Sequence, residues 1–244
     1  MSNTDTLTSF AIILLAAVIH ASFQLSISVL TLLSGHTLGR KSAHQRLLRL
    51  TGGFILGAVV MTALLLTFTS FVLSVFIPHA TPAIVWSASC GALAGVGVSV
   101  WLFYYKNIEQ GTSLWIPRNF ARYLVDRSKA SKVTVEAFSL GLTSVISELL
   151  FIFAPIIITS LILIRLTPDL QLLGILLYSF VSLLPLFIVG ILVGGGHKLS
   201  HIQRWRETNK SFLQFASGTG LLVLGAYIYV EKVVIVTIYA SGNQ

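Results

Sequence analysis

Residues 144–153 read SVISELLFIF, a single carboxylate set inside a run of apolar side chains. Glu148 is the only ionisable residue between Glu136 and Arg165, and the run around it is longer than the roughly 20 residues a helix needs to cross a bilayer. Membrane-barrel strands alternate over segments of about ten residues, so a longer, continuously apolar run argues for helix. An acid near the middle of such a helix costs about 2.5–3.5 kcal/mol to insert, which requires that it face protein or water rather than lipid.

The same hydrocarbon pattern recurs along the chain. Of the 244 residues, 55% are hydrophobic and only 10% charged, against the usual quarter charged in a soluble domain. Six apolar runs are marked at about 8–33, 50–77, 83–105, 136–165, 171–193 and 211–230. The expected fold is an all-α integral membrane protein of six transmembrane helices. The last stretch, VVIVTIYASGNQ after Lys232, is too short to span alone and reads either as a continuation of the sixth helix or as an interfacial tail.

A net charge of +8 in a soluble chain would suggest nucleic acid, but the cations are placed by topology. Arg40, Lys41, Arg46 and Arg49 lie between runs one and two; Lys106, Arg118, Arg122, Arg127, Lys129 and Lys132 between three and four; Lys198, Arg204, Arg206 and Lys210 between five and six. Only Arg165 and Lys232 fall elsewhere. The positive-inside rule then puts these connections in the cytoplasm and both termini outside. MSNTDTLTSF has no Lys or Arg, so the first span reads as retained rather than as a cleaved signal.

The central connection, WIPRNFARYLVDRSKASK, sets Phe120, Tyr123 and Leu124 against Arg118, Arg122 and Arg127. It reads as an interfacial amphipathic helix, a solvated basic linker, or a surface for a protein partner over Trp115–Lys132. It divides the chain into a first three-helix half (1–105), a linker (106–135) and a second half with its tail (136–244). Three spans is an odd number, so the second half must cross in the opposite sense, as two inverted repeats.

Within the spans, Gly141, Ser144, Glu148, Pro155 and Thr159 share one face of run four, and Pro155 invites a kink beyond the carboxylate. His20, Gln24 and Ser28 recur every fourth residue in run one, and His20 is the only histidine inside a span. Two polar stripes at similar depth are best satisfied by facing each other, with a proton or cation between Glu148 and His20. The alternative is a buried hydrogen-bonded contact that only fixes helix register. Ser147, Tyr178, Ser182 and Gln214 complete the candidate substrate or ion site, the last three equally readable as packing.

Ser87, Gly91, Gly95 and Ser99 form a small-residue face on run three, and Gly53 and Gly57 a shorter one on run two, each suited to close helix packing. GVGVS follows no strand and precedes no Lys, which excludes a phosphate loop. His197 and His201 have metal-capable spacing but no further ligand nearby, and read as a solvated loop. Cys90 stands alone, so no intramolecular disulfide, CxxC pair, catalytic site, metal or cofactor is expected.

VIHASFQLSISVLTLLSG with GRKSAHQRLLRLTGGFILGAVV, and GLTSVISELLFIFAP in the second half, resemble the two half-repeats of the lysine-exporter superfamily, closest to its thiol–disulfide electron conduits of the cytochrome c biogenesis type. The conduits' Ser/Thr-Pro-Cys elements fall on Ser22, Phe23 and Gln24 and on Ser147, Glu148 and Leu149, with both cysteines absent. A thiolate relay needs two sulfurs, so the resemblance implies the fold and not electron transfer. It implies a small secondary transporter exporting a cation or amino acid by alternating access, in a bacterial or archaeal plasma membrane. The rival is a non-transporting, cysteine-less membrane scaffold for a redox or envelope-assembly complex.

Overall fold

The computed structural model describes residues 3–23, 41–77, 81–103, 126, 133–195, 205 and 208–235. Among them every regular element is a helix: α1 (Asn3–Ser22), α2 (Lys41–Phe76), α3 (Ala83–Phe103), α4 (Thr134–Leu163), α5 (Pro168–Ser182), α6 (Leu184–Gly194) and α7 (Lys210–Tyr229). Five spans are long and apolar enough to cross a membrane, and α5 with α6 gives a sixth if that bent pair is one crossing.

Several boundaries differ from the hydropathy reading. α2 starts at Lys41, inside the basic connection, because KSAHQRLLRL is built of good helix formers and continues the helix below the apolar run. α7 does not stop at residue 230 but passes into a π-helical turn over Val230–Val234, so Glu231 and Lys232 continue the last helix. There Lys232 Nζ donates to Glu231 Oε1 at 2.8 Å.

Pro155, where the sequence invites a kink, does not interrupt its helix. α4 remains one helix through Pro155 to Leu163, whereas the fifth run is cut at Leu183, where α5 and α6 meet at a bend of 50°. Pro185 explains the cut: it has no N–H for the Val181 carbonyl and its ring crowds that turn. The backbone rearranges locally, with Leu183 N–H turning to Val181 and the N–H groups of Leu186 and Phe187 both closing on Leu183 O at 2.9 and 3.0 Å. Such a break at membrane depth is tolerated where it is enclosed by protein, and Ser179, Val181, Ser182 and Leu183 are all buried.

Helix association among apolar spans relies on van der Waals contact between closely approaching backbones. The principal example is α2 against α4, which run parallel. A Cβ on Gly53 would lie 2.8 Å from Thr134 Cγ2; one on Gly57 would strike the Phe138 carbonyl, and one on Gly141 the Phe54 carbonyl. α3 and α7 run antiparallel: a Cβ on Gly97 would lie 3.0 Å from the Gly218 carbonyl oxygen and the reverse holds at the same distance. Trp101 lies against Gly218 and stacks on Phe215, centroids 6.0 Å apart and planes 2° from parallel.

The stripe of Ser87, Gly91, Gly95 and Ser99 does not make the expected contact. Added Cβ atoms at Gly91 and Gly95 meet open space, and α3 instead turns Gly97 toward its partner α7. Spacing identified a small face but could not say which of two small faces is covered.

α1 packs against α5, α4 and α7, and α2 against α5 and α6 as well as α4. At one end of the bundle Arg165, after α4, donates through Nε to Thr81 Oγ1 at 3.2 Å, and its guanidinium stacks 5.6 Å from the Trp86 ring centroid. This joins the segment just before α3 to the α4–α5 turn at one end of the bundle. Partial burial there lowers the Arg165 pKa from its usual value.

Gly57→Ala should destabilise the bundle by about 1–3 kcal/mol, because two backbones must separate to admit the methyl group, whereas Gly91→Ala and Gly95→Ala should stay within about 0.5 kcal/mol of wild type. Equilibrium unfolding in mixed micelles checks this, and equal effects at all three positions would contradict the packing.

Candidate functional site

The buried ionisable side chains meet where α1, α4 and α5 converge. On α1, Ile13, Ala16, Ala17 and His20 fall on one buried face. On α4, Gly141, Ser144, Glu148 and Ile152 do the same, and α5 contributes Tyr178. His20, Glu148 and Tyr178 are each 0% exposed.

His20 stands between the other two. Its Nδ1 lies 3.1 Å from Tyr178 Oη, and its Nε2 lies 3.9 Å from Glu148 Oε2. The imidazole and phenol rings are tilted by 51° at 5.6 Å. Three residues further along both helices, Phe23 stacks on Phe151 with centroids 5.8 Å apart and planes 11° from parallel. Hydrocarbon therefore flanks the pair on one side.

The distances constrain the chemistry. At 3.1 Å one hydrogen bond joins His20 to Tyr178; at 3.9 Å the His20–Glu148 contact is an ion-pair distance, beyond direct hydrogen bonding. Nε2 has no hydrogen-bond partner. If Tyr178 donates to Nδ1, the imidazole proton sits on Nε2 and points at the carboxylate. The pair can then hold one additional proton, as neutral acid beside neutral imidazole when it is on Glu148 or as an ion pair when it is on His20. Both forms avoid a lone buried charge, which is the costly state.

Other residues of the sequence-derived site divide into those near this centre and those apart from it. Ser144 is buried one turn from Glu148, and its hydroxyl donates to the Gly141 carbonyl at 2.8 Å; Ser147 donates to the Ser144 carbonyl. Ser182, one turn after Tyr178, donates to Ser179 O at 3.3 Å. Pro155 is buried on α4, two turns beyond Glu148. Gln214 is not brought to the centre: its amide donates to the carbonyls of Val100 and Trp101 at 2.8 and 2.7 Å, clamping α7 to the end of α3. A glutamine in an apolar helix can satisfy its amide on a neighbouring backbone, and spacing does not reveal which it will do. Gln24, Ser28, the Trp115–Lys132 segment apart from Asp126, His197 and His201 lie outside the described residues.

Two further polar features lie near this centre. Ser217 Oγ lies 2.7 Å from Ser22 Oγ, joining α7 to α1 two residues beyond His20. Ser179 is 3% exposed, and its hydroxyl has no hydrogen-bond partner. Isolated serines carry little periodic signal, because they bond equally well to their own helix.

No family model, curated protein or solved structure matches the chain. The site therefore rests on its own geometry. Among the described residues no three His, Cys, Asp or Glu side chains cluster, and the His20–Glu148 pair offers fewer than the three protein ligands of a catalytic zinc site. Cys90 is buried on α3 beside Gly225 of α7.

A double-mutant cycle of Glu148→Gln and His20→Gln should show coupling of about 0.5–3 kcal/mol, as expected for ionisable groups in contact. Unfolding in mixed micelles measures it, and additive single-variant effects would mean that the two side chains do not interact.

Proposed function

We propose that the protein is a small secondary transporter that moves a cation or an amino acid across the membrane by alternating access, with Glu148 and His20 carrying the proton or cation on which the cycle depends. The observation that carries this reading is the fully buried His20–Glu148 contact, one helix from each half of the chain, linked through Tyr178 to a span broken in mid-course. Ionisable residues inside spans are expensive and mark ion pathways, and discontinuous helices at membrane depth are a common way of building transporter sites.

The pattern of helix contacts supports two inverted halves. Exchanging α1, α2 and α3 with α4, α5–α6 and α7 turns the α1–α5 pairing into α4–α2, and α1–α7 into α4–α3. It leaves α1–α4, α3–α7 and α2 with α5–α6 as self-pairs, and every one of these contacts is present. The parallel course of α2 with α4 and the antiparallel course of α3 with α7 agree with six alternating crossings. With the basic connections in the cytoplasm, both termini lie outside and Arg165 ties two outer turns together. The two halves then rock about the α1–α4 contact, and the site at that contact opens to one side at a time.

In proteoliposomes an imposed pH gradient should drive flux of at least one solute from a panel of basic amino acids and mono- and divalent cations. Glu148→Gln should lower that flux at least about tenfold, since the side chain keeps its shape and loses its titratable proton. Flux of the whole panel equal to that of protein-free vesicles would overturn the transport reading. Flux unchanged by Glu148→Gln would remove the role given to the carboxylate.

A further inference from the structure

Tyr178 sits at a junction that the transport reading alone does not use. Its hydroxyl, 3.1 Å from His20 Nδ1, is a polar tie between the protonatable pair and the fifth span. It lies on α5 one turn before the 50° bend at Leu183. Pro185 has no N–H to close on the Val181 carbonyl, Leu183 N–H turns to Val181 O and Leu186 N–H closes only three residues back, so the bend is the weakest point of the span.

We propose that Tyr178 couples the proton load of the His20–Glu148 pair to the angle between α5 and α6. The mechanism is a reversal of one hydrogen bond. A neutral imidazole with its proton on Nε2 accepts from the phenol at Nδ1; a doubly protonated imidazole carries N–H at both positions and donates to the phenol oxygen. In the second state the Tyr178 proton must turn to a different acceptor within a completely buried site, and α5 changes its packing to provide one. Proton movement between Glu148 and His20 is thereby transmitted to the hinge.

The groups facing His20 are few. Glu148 faces it from α4 and Tyr178 from α5, while α7 presents Gly220 against Ile19 and the neutral hydroxyl of Ser217 against Ser22. The phenol is thus the group of α5 that meets the imidazole directly. This inference rests on the proposed role of the pair but concerns the motion rather than the flux. Tyr178 is a positioning residue here, acting through His20.

Spin labels at Leu172→Cys on α5 and Ile191→Cys on α6, both exposed on the bundle surface, report the hinge in a Cys90→Ala background. At 1.5 Å per residue, straightening the 50° bend lengthens the label separation by about 3 Å. Pulsed electron resonance should show the distance distribution shifting as the pH is stepped from about 4 to about 9, a window wide enough to reach a buried pair. Tyr178→Phe, which removes only the hydroxyl, should abolish the shift. His20→Gln, which can still bond the phenol but cannot take a proton, should abolish it too and serves if the phenylalanine variant is not recovered folded.

A distance that does not respond to pH in the parent, or a shift that persists in either variant, would overturn the coupling. Flux measured on the same preparations separates the two readings. Proton-driven flux with a pH-insensitive hinge refutes the coupling and leaves the carrier. A pH-sensitive hinge lost in Tyr178→Phe, without flux of any solute, supports the coupling and refutes the carrier.

Discussion

The structure depends on one constraint: a carboxylate placed in hydrocarbon must be met by protein. Glu148 cannot face acyl chains without a penalty of about 2.5–3.5 kcal/mol, and the bundle meets that demand by bringing His20 from α1 to within 3.9 Å of it. The requirement fixes which faces of α1 and α4 turn inward. Once those faces are set, the glycine row of α2 seats on the early turns of α4, and α5 lies along α1 with Tyr178 reaching His20. The ionisable pair and the helix packing are two consequences of the same placement.

Much of this was legible in the sequence, because lipid as solvent leaves few options. Continuous apolar runs demanded helices, and the lone Glu148 demanded a polar neighbour of similar depth. His20 was the only histidine able to supply it. The Gly53 and Gly57 pair was readable for the same kind of reason: two glycines one turn apart in a span suit a backbone that must come close, and they meet Phe138 and its neighbours on α4.

What was not legible turns on choices that local pattern leaves open. Pro155 and Pro185 are both prolines in apolar runs, yet only the second coincides with a break, because interruption depends on how neighbouring backbone groups are re-satisfied. Gln214 had the look of a site residue and instead caps two carbonyls at the end of α3. Gly91 and Gly95 formed the longer small-residue row but face outward, while the single Gly97 makes the close contact. In each case periodicity defined a face and tertiary contact selected among faces.

The central claim is that Glu148 and His20 share a titratable proton at the contact between the two halves. Infrared difference spectroscopy of the protein in lipid, recorded across a pH titration, tests it most directly. The account predicts a protonated-carboxyl band that appears as pH falls, vanishes in Glu148→Gln and changes its midpoint in His20→Gln. The absence of any band assignable to Glu148, or a midpoint indifferent to loss of the imidazole, would contradict it.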